Sequence, residues 1–221
     1  MDVLLEQFFN FEIMARASPI IWRGLQMTLL VCLLVVPLGL AGGLLLSLLG
    51  TVRHPLVRWP VVALVDFFRA VPPLVLLIFV YAGLPFAGID LSPLAAVALA
   101  LLLNSSSYYG EIYRAGIESV GHGQVEAARS TGLGRGQTLA YVVVPQAVRN
   151  VLPDLVSNTV EVVKLTSLAS VVALPELLYS ADMARSLTYN SSPLVFAAII
   201  YLILLWPMVR LLSSLEHRLS G

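Results

Sequence analysis

From Gly24 to Val52 the chain carries no charged residue, a run longer than the roughly 20 apolar residues a helix needs to cross a bilayer. Such a run has no place on the surface of a water-soluble fold, so it commits the chain to a membrane. Composition agrees. Of the 221 residues 58% are hydrophobic and 12% charged, with a mean hydropathy of +0.89, whereas a soluble domain is nearer a quarter charged. Within the run, Pro37, Gly39, Gly42 and Gly43 predict a kink and close contact with another helix.

The pattern repeats along the chain and predicts an all-α, polytopic membrane helix bundle, a single domain over 1–221. About five transmembrane helices are expected, near 24–50, 57–84, 91–110, 150–175 and 192–211. Residues 1–22, with Phe8, Phe9, Phe11 and Trp22, suit an amphipathic lead-in at the membrane surface. Asp2, Glu6 and Glu12 stand where a cleavable signal peptide would carry basic residues, so none is expected. Cys32, the single cysteine, reads as a small buried hydrophobe.

Polar residues inside the spans are the candidates for function, because charge at membrane depth faces a protein interior or a wet cavity. The second span carries Asp66 and Arg69, three apart on one helix face and able to pair, and Pro72-Pro73 then breaks the helix. The third ends in polar residues, Asn104 to Tyr108, suited to interhelical hydrogen bonds or to lining a cavity. The fourth holds Asp154, Ser157, Asn158, Thr159, Glu161, Lys164, Thr166 and Ser167. No lipid-facing helix tolerates that set, so this helix faces a cavity or a partner subunit, and Glu161 and Lys164 are also spaced to neutralise each other. A loop is expected from there to about Tyr189, before the last span.

Five spans put the termini on opposite sides. With the N-terminus outside, the inner segments hold eight arginines (Arg53, Arg58, Arg114, Arg129, Arg135, Arg149, Arg210 and Arg218) and the outer ones three (Arg16, Arg23 and Arg185). That satisfies the positive-inside bias and makes 115–149 a cytoplasmic loop. Within it, Gln124 to Thr131 reads as a helix of about two turns, stopped by Gly132 and Gly134. A helix that short needs something packed on it. Ala127 and Ala128 leave a low surface beside Glu126 for another chain, so the stretch reads as a docking element.

Here a resemblance becomes specific. Glu126-Ala127-Ala128, then three residues and Gly132, then nine residues and Val142, then one residue and Val144-Pro145 resemble the EAA loop of ABC importer permeases, with valines where that family usually ends Ile-x-Leu-Pro. Trp22 to Leu29, Phe68-Arg69-Ala70-Val71-Pro72-Pro73-Leu74, Tyr109-Gly110-Glu111-Ile112-Tyr113-Arg114 and Lys164-Leu165-Thr166-Ser167-Leu168 are similar to further elements of the branch for polar amino acids and related solutes such as opines and ectoine.

The resemblance implies a type I, MetI-like permease architecture in a bacterial plasma (inner) membrane. It implies that two permease subunits, identical or sister, form the pathway. It also implies a pair of cytoplasmic ATPases that bind ATP and Mg and receive the loop, and an external solute-binding protein that delivers the ligand. Glu126, Ala127, Ala128, Gly132 and Pro145 would carry the coupling. Arg69, Asn104, Ser157, Asn158, Glu161, Lys164, Thr166 and Ser167 are the expected substrate-pathway residues, with Arg69 suited to a carboxylate and Ser157, Asn158 and Glu161 to an ammonium. The chain itself is expected to be non-catalytic and to hold no cofactor. Its one lysine, Lys164, is preceded by no phosphate-loop glycines, and His54, His122 and His217 are scattered. Alternatives are a permease for methionine or an inorganic anion, and a secondary transporter, although no internal repeat is visible.

Overall fold

The computed structural model describes residues 2–52 and 54–219, with side chains described for 3–52 and 54–214. Asp2, Arg53, His217 and Arg218, named above, therefore lie outside the described side chains. The described chain is helical: α1 (Asp2–Phe8), α2 (Phe11–Gly50), α3 (Pro55–Ala70), α4 (Pro73–Ile78), α5 (Pro93–Ser119), α6 (His122–Ser130), α7 (Arg135–Thr138), α8 (Val144–Asn150), α9 (Leu152–Leu165), α10 (Leu177–Thr188) and α11 (Ser192–Leu219). Three of the helical stretches are long and apolar enough to cross a membrane, or four when the pair broken at the double proline counts as one. α5 is 27 residues long, but its polar second half keeps it out of that group.

Two expectations need correction. Only α1 (Asp2–Phe8) precedes the first long helix as a separate element; from Phe11 on the expected lead-in is part of α2, which runs for 40 residues, about 60 Å. Asn10 sets its start, accepting at Oδ1 from the Ile13 N–H at 3.1 Å, and Ala17 and Ile21 are buried in a core. The stretch 177–188, expected as loop, is the helix α10. Leu177, Ser180, Ala181 and Ala184 make one buried face of mostly small residues, which a hydropathy window does not register.

The chain divides into two compact units. The first comprises 1–36, 72–102 and 160–210. Its core joins Ala17, Ile21, Leu177, Ala181, Ala184 and Ala197. The small residues allow a close crossing of α2 and α10: a Cβ on Gly24 would lie 2.4 Å from Ser180 Oγ. Thr28 Oγ1 accepts from the Leu177 N–H at 3.1 Å, tying the same two helices together. The second unit comprises 37–71, 103–159 and 211–221. There the expected glycine face of α2 meets α5, where a Cβ on Gly43 would lie 2.5 Å from Tyr109 Cβ.

Both π turns precede a proline. Leu139–Val143 leads into Pro145 and Phe79–Gly83 into Pro85. A proline cannot donate to the carbonyl four residues back, and its ring crowds that carbonyl. In each case the residue before the proline bonds five back instead, Val144 to Leu139 and Leu84 to Phe79, which widens the helix locally.

Candidate functional site

The docking element lies wholly in the second unit. α6 spans His122–Ser130, and a helix turns about 100° per residue, so its residues divide between two faces. Ala128 is buried, 8% exposed, and Val125 packs on the cluster of Val120, Val143 and Ala147. Glu126 and Ala127 are exposed. The low surface expected from both alanines therefore reduces to Ala127, because Ala128 sits three residues from Val125 on the face that holds α6 to its own chain. Ser130 Oγ and Thr131 Oγ1 donate to the Glu126 and Ala128 carbonyls at 2.9 and 2.7 Å, satisfying acceptors at the helix end. Gly132 follows with φ +88° and open space around its missing Cβ, so what favours glycine there is backbone conformation rather than crowding. Pro145, beyond the π turn, is exposed.

Also in this unit, α3 ends where Pro72 and Pro73 bring no N–H. In an uninterrupted helix those two residues would donate to Phe68 and Arg69. α5 supplies the replacements, one turn apart: Asn104 Nδ2 donates to the Phe68 carbonyl at 3.2 Å and the Tyr108 hydroxyl to the Arg69 carbonyl at 3.4 Å. Asn104 is only 2% exposed, so its amide serves the backbone. Among the described residues no ion pair joins Asp66 to Arg69. Arg69 turns instead to α5, with its guanidinium 5.6 Å from the Tyr108 ring centroid and 3.7 Å from Glu111. Glu111 and Glu118 both bind Arg114, each with a contact of 2.5 Å. The hydrogen-bonded Arg114 guanidinium holds the Glu111 carboxyl below the usual carboxylate range, against partial burial and with Arg69 adding to the effect.

The polar residues of the fourth span are distributed along α9 and the 3-10 turn that follows it. In the second unit Ser157 is exposed, and Asn158 Nδ2 is buried. Beside them the Tyr109 and Thr159 hydroxyls bond at 2.7 Å. In the first unit Lys164 Nζ and Glu161 Oε1 pair at 2.6 Å with both side chains more than half exposed. Thr166 is buried and donates to the Val163 carbonyl at 2.7 Å, while Ser167 donates to that of Lys164 at 2.8 Å. Of the expected pathway residues, Ser157, Glu161 and Lys164 thus project from the chain. Asn104, Thr166 and Ser167 hold its own backbone.

One residue escaped the sequence reading. Glu176 is fully buried in the first unit, capping α10 by accepting from the Leu178 and Tyr179 N–H groups at 2.9 and 2.7 Å and from the Tyr201 hydroxyl at 3.2 Å. A glutamate one residue past the expected span 150–175 gives no signal where the stretch that follows reads as loop. Among the described residues no three His, Cys, Asp or Glu side chains are grouped to hold a metal.

Residues 36–221 match the family described as "Binding-protein-dependent transport system inner membrane component". The chain belongs to that family. This permease is therefore a multi-pass inner-membrane protein, a membrane component of an ABC importer with the MetI-like helical fold. It is 36% identical over 197 residues to the probable amino-acid ABC transporter permease protein YckA of Bacillus subtilis (strain 168), covering 89% of this chain and 87% of that one. It is 33% identical to the arginine transport system permease protein ArtQ of the same organism, covering 96% of this chain and 98% of that one. Among solved structures, an amino acid ABC transporter superposes with a TM-score of 0.86 at 34% identity, over 95% of this permease and 98% of that chain. The MetNI methionine ABC transporter, inward facing, shares the fold with a TM-score of 0.74 at 18% identity, over 89% of this permease and 96% of that chain.

Proposed function

We propose that this permease moves a polar amino acid or a related zwitterion into the cell, driven through α6 by a separate ATPase. The observation that carries the coupling reading is the two-faced build of α6. Val125 and Ala128 fasten it to the bundle, while Glu126 and Ala127 stand outward. A motion imposed on the outer face would thus reach α5 and α8 through the cluster of Val120, Val143 and Ala147. Glu126 is placed to accept from a cation on the ATPase, and Ala127 lets that surface approach. On this reading the N-terminus lies outside, α6 lies in the cytoplasm, and a second permease subunit covers α9. Such a cover suits the projecting Glu161–Lys164 pair, which is costly against lipid. The solute class follows the amino-acid transport named for YckA, ArtQ and the solved transporter.

The test is ATPase activity in proteoliposomes containing the permease, its ATPase and its loaded binding protein, with amino acids supplied one at a time. One amino acid is expected to stimulate hydrolysis, and Glu126→Ala or Ala127→Trp to abolish the stimulation while the permease stays folded. Full stimulation in both variants would refute coupling through this face. Stimulation by no amino acid would refute the solute class.

A further inference from the structure

In the first unit the turn between α10 and α11 carries a residue that folding alone does not account for. Tyr189 follows α10 with φ +51° and ψ +34°, the left-handed region that a bulky L-residue enters at a cost and where glycine or asparagine is the usual choice. Asn190 is the next residue along, yet the tyrosine takes the strained place. Its side chain gains little burial in return, being 91% exposed. Strain of this kind persists only where the surroundings impose it, and here they do. Asn190 Nδ2 donates to the Glu6 carbonyl at 2.9 Å and the Ser191 N–H to the Gln7 carbonyl at 3.0 Å. Gln7 Nε2 donates to the Tyr189 carbonyl at 3.4 Å, and the Asn10 N–H to Ser192 Oγ at 2.9 Å. The turn is thereby tied to α1 and to the start of α2, and the tyrosine ring is held out from a fixed collar.

Beside the turn lies a cavity of about 500 Å³ whose lining includes Gln7, Arg185, Ser186 and Ser191. Its walls are amides, hydroxyls and a guanidinium, so it does not suit a lipid acyl chain. Arg185 is already paired with Asp182 at 2.7 Å, which leaves the recess a weak attractor for a lone ion. A tyrosine that only anchors the chain among lipid headgroups needs no left-handed backbone, since an ordinary helical position presents its ring equally well. An exposed aromatic over a hydrogen-bonding recess is instead the make-up of an anchor in a protein–protein contact, where tyrosine supplies a large contact area for two rotatable angles. The family is binding-protein-dependent, and on the orientation proposed above α1, and with it this collar, lies outside, on the side from which the binding protein arrives.

We propose that Tyr189, with the recess formed by Gln7, Ser186 and Ser191, is a docking point for the external solute-binding protein. The ring packs on that protein and the recess exchanges hydrogen bonds with its polar groups. The inference rests on the orientation in the proposed function and adds the surface on which delivery takes place.

The test is a titration of the permease's own binding protein against ATPase activity in proteoliposomes, for wild type and for Tyr189→Gly, Tyr189→Asn and Tyr189→Phe. Glycine and asparagine accept the left-handed backbone, so neither variant should unfold more readily than wild type, and each removes the ring. Both are expected to raise the half-saturating concentration of binding protein roughly tenfold, the effect of one interface anchor, with the rate at saturation near that of wild type. Tyr189→Phe keeps the ring and should lie much closer to wild type. An unchanged half-saturating concentration in both Tyr189→Gly and Tyr189→Asn, with wild type still stimulated, overturns the inference and leaves the proposed function standing. So does loss of the second permease subunit from the purified variants, which would make the collar a contact between permease subunits. A second arm labels Tyr189→Cys, in a Cys32→Ala background, with a membrane-impermeant maleimide in right-side-out and inverted vesicles. Labelling in right-side-out vesicles, prevented by excess binding protein, is expected. The same protection in a complex that no amino acid stimulates would uphold the docking point while the solute class fails. Labelling in inverted vesicles alone would overturn both the inference and the orientation on which it rests.

Discussion

Asn104 donates its Nδ2 amide to the Phe68 carbonyl at 3.2 Å, filling the acceptor that Pro72, four residues on, cannot serve. The double proline thus costs the helix two donors, and α5 returns two from positions one turn apart. The break is held by its neighbour, and its shape is fixed by residues that a hydropathy profile would assign to a solute pathway.

Removing the Asn104 amide should leave a buried carbonyl unpaired. Asn104→Leu is expected to destabilise the purified permease by about 1–3 kcal/mol. Asn104→Asp, nearly the same shape but an acceptor facing an acceptor, should be at least as harmful. Tyr108→Phe should cost less, about 0.5–1.5 kcal/mol, because its bond is longer at 3.4 Å. Thermal unfolding of the three variants in one detergent gives the order. Equal stability of Asn104→Leu and wild type would remove the capping role.

Gly132 has a positive φ and empty space where a side chain would go. Gly132→Ala is therefore expected to cost about 1–2 kcal/mol of backbone strain, and Gly132→Asn less, since Asn tolerates that region. If crowding were the cause the larger Asn would be worse, so the rank of the two in an unfolding assay decides between the mechanisms.

Much of this architecture was legible before any coordinates. The uncharged run at Gly24–Val52, the break at Pro72-Pro73, the short helix before Gly132 and the Glu161–Lys164 pairing all follow from local chemistry, and the structure has each of them. Partners chosen across helices were not legible. Asp66 and Arg69 satisfied the i, i+3 rule, yet Arg69 turns to Tyr108 and Glu111 on α5, and nothing in a linear pattern reports that α5 lies within reach. Burial of Ala128 beside an exposed Ala127 was hidden for the same reason, since the facing cluster is assembled from Val120, Val143 and Ala147. α10 was missed because its buried face is built largely of alanine and serine, which carry little hydropathy.

Glu176 closes the start of that helix. Glu176→Ala removes both N-terminal acceptors and leaves the Tyr201 hydroxyl without this partner, so a loss of at least the roughly 1–2 kcal/mol of an N-cap is expected. Glu176→Gln retains one acceptor oxygen and should fall between Ala and wild type. A Glu176→Ala permease as stable as wild type would show that α10 is held by its apolar face alone.

The Glu111 carboxyl titrates below its ordinary value because Arg114 binds its ionised form. A depressed folded pKa means that the unfolded chain binds the proton more readily. The stabilisation is therefore fully present above the unfolded value of about 4.5 and is lost as pH falls from there through the folded pKa. Unfolding midpoints measured from pH 6 to about pH 3 should drop less steeply in Glu111→Gln than in wild type, with the two curves differing little in shape above about pH 5.5. Parallel curves throughout the acid range would mean that the Arg114 contact does not bias this carboxyl.

The two alanines of α6 should separate folding from coupling. Ala128 is buried beside its own chain, so Ala128→Leu overpacks the interior and is expected to cost about 1–3 kcal/mol of stability. Ala127 is exposed, so Ala127→Leu should leave the unfolding midpoint within about 0.5 kcal/mol of wild type. Its effect should appear in assembly instead, as weaker co-purification of the ATPase and lower stimulated hydrolysis. If Ala127→Leu assembles and hydrolyses ATP like wild type while Glu126→Ala does not, the ATPase meets α6 through the glutamate end alone. If neither change matters, the outer face of α6 is not the contact, and the next surface to test is the groove between α6 and α7 lined by Val125, Arg129, Arg135 and Leu139.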